Sequence, residues 1–138
     1  MPCTYPNNQQ ASYLLFHDHA PGITRLNVYM GLAGAYLLRD SVEDAINLPQ
    51  GQYEVPLVIQ DKKLNPDGTL KYPSMWMDHW FGDKVMVNGK VLPYLDVRRG
   101  KYRFRLINGS GSRIYTLSLT PPSGILAFTV IGNEGGLL

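Results

Sequence analysis

Cysteine is almost missing from this chain: Cys3 is the only one in 138 residues. A lone thiol forms no intrachain disulfide and no all-cysteine metal cage, and it leaves the compartment open. Histidine is nearly as scarce, with only His17, His19 and His79, so any metal site has few nitrogen donors to draw on. Charge of either sign is sparse. Charged residues make up 17% and the formal net charge is +2, too mild to argue for nucleic acid on charge alone. No apolar run approaches the roughly 20 residues of a membrane helix, so no membrane span is expected. The opening MPCTYPNNQQ has no basic stretch leading into an apolar one, so no secretory signal is visible in it.

Strand signals are what the chain has in quantity. Hydrophobic residues reach 44%, which excludes wholesale disorder, and the length suits about one ordinary domain. Short apolar runs at 12–17, 35–39, 53–60, 113–119 and 126–131 have strand length. Pro56 within the third predicts an edge or a bulge. Asn65-Pro66-Asp67-Gly68 is a turn, and Asn88-Gly89 predicts a type I′ hairpin across 84–95. In 101–107, Tyr102, Phe104 and Leu106 alternate with Lys101, Arg103 and Arg105. Together with Arg98 and Arg99, the basic set reads as a solvated strand face, with a single-stranded nucleic-acid face as the rival. One helix is expected, in 22–34, cut short by its glycines. The polar segment 40–52 reads as a connection between two packed units. The pattern is all-β, a sandwich or barrel. Residues 1–40 hold two clear strands, too few to bury a core alone.

His17-Asp18-His19 closes the first strand. In extended chain, residues i and i+2 share a face with Cα atoms roughly 6.5–7 Å apart. Two imidazoles so placed suit one metal or two neighbouring ones, and imidazole fits Zn, Cu, Fe or Ni. An ordinary polar strand end remains the plain alternative. Residues 20–25 carry no carboxylate, against a cupin site, and no further Asp-His pair follows, against a metallo-β-lactamase site. Zinc hydrolysis wants a third protein ligand. Asp18 reads as a turn cap or solvent-facing group, with an outer partner to the metal site or a proton relay as the functional alternative. His79 reads as a surface residue and Cys3 as incidental. Met75 and Met77, with Trp76 and Trp80, read as cover for a core edge rather than a soft-metal pair.

Extended stretches of the chain resemble the multicopper oxidases, most closely the bacterial spore-coat laccase and bilirubin oxidase branch. The resemblance is carried by His17-Asp18-His19-Ala20, by GITRLNVY at 22–29 and by GLAGAYLLRD at 31–40. It continues through YEVPLVIQD at 53–61, Val87-Asn88-Gly89-Lys90-Val91, Pro93-Tyr94-Leu95, YRFRLIN at 102–108 and GNEGGLL at 132–138. It implies a cupredoxin-like Greek-key β-barrel architecture, incomplete here. On this reading 1–40 ends one cupredoxin domain, 41–52 links, and 53–138 begins a second domain that binds no copper. It implies oxidation of phenols, aromatic amines, pigments or metal ions, with dioxygen reduced to water at a trinuclear copper cluster. His17 and His19 take the role of type 3 copper ligands in that cluster.

The family's first His-x-His, its downstream histidine-rich motif and its His-Cys-His motif with an axial Met find no counterpart in these residues. Leu15-Phe16 stands where a Trp-Tyr pair is frequent. The chain is therefore expected to be an internal fragment, with the rest of its parent chain as partner and a spore-coat, periplasmic or extracellular location implied. The rival expectation is a non-catalytic β-domain, a binding or structural module or a decayed fragment, derived from such an enzyme.

Overall fold

A computed structural model of the chain describes residues 2–138. Its regular secondary structure is mostly strand, in open sheets. β1 (Ser12–His17) pairs antiparallel with β2 (Ala33–Leu38), Ser12 opposite Leu38 and His17 opposite Ala33. Between them the chain turns through α1 (Thr24–Met30). The glycine-rich end stops this helix as expected. Gly31 takes φ 103°, and the amides of Gly31 and Leu32 bond Val28 O and Asn27 O.

The larger sheet has the order β5-β4-β3-β6. β3 (Glu54–Lys62) is central, β4 (Lys84–Val87) and β5 (Lys90–Val91) form the hairpin, and β6 (Arg103–Asn108) runs parallel to β3. Asn88 and Gly89 take φ 49° and 80°, the left-handed pair that a type I′ turn requires. Pro56 pairs with Arg105 on β6, whereas the β4 ladder begins only at Ile59. The proline thus lies where β3 is open on one side. There the Asn88 side chain substitutes for a strand: Val58 N donates to its Oδ1 (2.8 Å), and its Nδ2 donates to Pro56 O (2.9 Å).

Three expectations are corrected. The stretches 113–119 and 126–131 form no continuous strands; they meet at an isolated Leu119–Leu126 bridge. Their apolar patterning makes a face, but a strand also needs a neighbour along its length, and Ile114 stays 91% exposed. The closing strands are instead the short β7 (Gly132–Asn133) and β8 (Gly136–Leu137). A second helix, α2 (Ser41–Ala45), lies within 40–52. Asp40 caps it: Oδ1 accepts from Glu43 N (2.8 Å), while Oδ2 accepts from Ala11 N (2.8 Å) next to β1.

The third correction concerns the basic face of β6. Arg103 and Arg105 are buried, with Ile107, while Leu106 on the opposite face is exposed. The reason is Glu43, the most buried side chain of the described residues at 1% exposure. Its Oε1 accepts from Arg103 Nη1 (2.6 Å), Arg105 Nη2 (2.5 Å) and Arg39 Nη1 (3.3 Å). Glu54 accepts from Arg105 Nε (2.5 Å) and from Arg39. Two carboxylates thus face three guanidiniums, and Arg39, the one with a 41% exposed side chain, carries the surplus charge to the solvent edge. This cluster joins α2, β3, β6 and the end of β2. A solvated or nucleic-acid role for Arg103 and Arg105 is removed, because their donors are spent inside.

Candidate metal centre

His17 is the last residue of β1 and His19 follows in the turn that leads to α1; both are exposed. His17 Nδ1 lies 2.7 Å from the carbonyl oxygen of Asp18. A carbonyl only accepts, so Nδ1 carries the proton, and in the neutral ring Nε2 keeps its lone pair for a metal. This is the outer hydrogen bond that metal-ligating imidazoles use to hold their tautomer.

Asp18 behaves as the turn cap. Its Oδ2 accepts from Ala20 N (3.3 Å) and from Asn27 Nδ2 (2.9 Å) on α1. Its Oδ1 is shut off from solvent and has no partner. α1 is in turn fastened to β3. Lys62 Nζ donates to Tyr29 O, at the carbonyl end of the helix, and stands 4.5 Å from the centre of the Tyr29 ring. The Tyr29 hydroxyl accepts from Lys63 N (2.9 Å) and donates to Lys71 O (2.8 Å). Burial lowers the pKa of Lys62 from the ordinary lysine value, against the pull of neighbouring Asp61.

The donor set suits copper in kind, as two exposed imidazoles on a strand end. Among the described residues no three His, Cys, Asp or Glu side chains converge as a metal site. His79 stands apart and exposed, 3.3 Å from Asp78 with its ring stacked on Phe81. Cys3 is free and exposed. Met75 and Trp76 depart from expectation: both are 78% exposed and cover no core edge. They line an open cleft of about 460 Å³ with residues 22–26 of the α1 turn. A second cleft, of about 640 Å³, lies between β1, β6 and the β7–β8 hairpin.

No family model matches the chain. A laccase of Bacillus subtilis is 46% identical over 97% of the chain, and a laccase of Bacillus stratosphericus is 45% identical over 97%. The crystal structure of the McoA multicopper oxidase from Aquifex aeolicus superposes with a TM-score of 0.87 at 40% identity, covering 94% of the chain. The chain belongs to the multicopper oxidase family. It spans 28% of the length of each of the two laccases and 29% of the McoA chain. The open sheets agree with an incomplete cupredoxin-like barrel, and the family to which the chain belongs is one of copper oxidases.

Asn27 is the site residue that the sequence reading missed. The signal available was its place on the helix expected just after the histidine pair. Nothing in its spacing from Asp18 marks it, because the contact depends on how the Pro21-Gly22 turn brings α1 back.

Proposed function

We propose that this chain supplies two copper ligands, His17 and His19, to the type 3 pair of a laccase-like multicopper oxidase. Residues 1–40 are the end of one cupredoxin domain, 41–52 the connection and 53–138 the start of the next. The remaining ligands and the electron-entry site come from the rest of the parent polypeptide. Bound copper would supply the redox chemistry by which electrons from a phenol, aromatic amine, pigment or metal ion reduce dioxygen to water. The chain's own contribution is placement. It offers two neutral nitrogen donors at the end of a paired strand, one with its tautomer set by the Asp18 carbonyl.

The observation that carries this reading is the His17 Nδ1 contact with Asp18 O, which leaves Nε2 free to bind. The multicopper oxidase relatives support the choice of metal. The test replaces His17 or His19 with Ala in the natural polypeptide carrying this sequence. Copper per polypeptide should fall and oxygen consumption should be abolished. Unchanged copper content and oxygen uptake in both variants would refute the assignment.

A further inference from the structure

Asp18 occupies an expensive position. One carboxylate oxygen is cut off from water and accepts no hydrogen bond, a loss that an apolar or smaller residue would avoid. The other oxygen is fully used, by Ala20 N in its own turn and by Asn27 Nδ2 nine residues on. The carbonyl of the same residue holds His17 Nδ1. Asp18 is therefore tied at its backbone to one imidazole and at its side chain to α1. The helix itself is immobilised through Tyr29, whose carbonyl and hydroxyl bond Lys62, Lys63 and Lys71. A continuous line of hydrogen bonds runs from β3, through α1 and Asn27, to the turn that carries both histidines.

We propose that Asp18 and Asn27 form a positioning pair that fixes the His17-Asp18-His19 turn to α1 and so sets the approach of both imidazoles to the metal. The proposal rests on the copper reading above. Neither residue is a ligand; each acts through the turn. What the Asp18 side chain contributes is an acceptor at the Oδ2 position rather than a charge. Replacement by Asn, which keeps an acceptor oxygen there, should therefore preserve the geometry.

The test uses the natural polypeptide and compares Asp18→Ala, Asn27→Ala, Asp18→Asn, the Asp18→Ala/Asn27→Ala double variant and His17→Ala. Copper affinity is read by competition with a chelator, and amide exchange over 17–27 is read in the metal-free protein. Asp18→Ala and Asn27→Ala should each weaken copper binding by about ten- to a hundredfold and speed exchange at the turn. Asp18→Asn should stay near the parent, and the double variant should be no worse than Asp18→Ala alone. If His17→Ala loses copper while Asn27→Ala binds it as the parent does, the positioning role is overturned and the copper reading stands. If His17→Ala also keeps its copper, the copper reading itself falls. Half-buried Asn27 decides the case should Asp18→Ala fail to fold. Loss of affinity in Asp18→Asn equal to that in Asp18→Ala, or a loss in Asn27→Ala that only follows a matching drop in melting temperature, also overturns the proposal.

Discussion

Gly82 illustrates how a single position can be closed to any side chain. A Cβ built there would sit 2.2 Å from the backbone nitrogen of Lys62 and 2.6 Å from the Asp61 carbonyl carbon. Both neighbours are main chain of β3, so neither can swing aside. The same glycine donates its amide to Asp61 Oδ2 (2.6 Å) and offers its carbonyl to Arg113 Nη2 (2.8 Å). Gly82→Ala should therefore cost about 3 kcal/mol through overpacking against rigid backbone. Gly111 is the control, since nothing stands within 4 Å of its added Cβ and its φ is not left-handed. Gly111→Ala should change stability by less than about 0.5 kcal/mol. Denaturant midpoints of the two variants check the contrast; equal midpoints would contradict it.

At the level of elements, α2 is too short to be stable by itself. The Asp40 cap and the buried Glu43 secure it, and through them the helix ties β2 to β3 and β6. Removing Glu43 leaves Arg103 and Arg105, both buried, to share Glu54. Glu43→Ala should destabilise by roughly 3–5 kcal/mol, the cost of an uncompensated buried charge. Glu43→Gln keeps an acceptor and should cost less. A thermal or denaturant series on the natural polypeptide measures both; a neutral Glu43→Ala would show that the cluster does not join these elements.

The whole molecule should be acid-sensitive for the same reason. Burial pushes Glu54 up, but hydrogen bonds from Arg39 and Arg105 outweigh it and leave its carboxyl below the ordinary glutamate range. Burial likewise pushes Asp61 up, and Arg113, Ser110 and the Gly82 amide bring it below the ordinary aspartate range. Asp40 is lowered first by the Glu43 amide and then by that of Ala11. For each group the unfolded chain takes up protons first as pH falls. The stabilisation is present above the ordinary carboxyl values of the unfolded chain and is lost as pH drops through the lowered folded-state values. Lys62 contributes a penalty instead of a gain: the fold disfavours its charge, and stability again rises with pH as that penalty is relieved between its lowered value and the ordinary lysine value. Unfolding curves from pH 3 to 8 should show an acid limb that shrinks in Glu54→Gln, where one of the lowered carboxyls is gone. The strand-rich class, the Asn88-Gly89 hairpin, the early end of α1 and the two imidazoles at the end of β1 are legible in the order of residues alone. Each depends on local backbone preference or on period-two alternation, which neighbouring residues carry. The inward turn of the basic face of β6, the deeply buried carboxylate supplied by segment 40–52 and the hold of Asn27 on Asp18 arise only on folding. These outcomes depend on counter-charges and hydrogen-bond partners that folding brings together from 9 to 62 residues away, a distance over which composition and periodicity carry no signal.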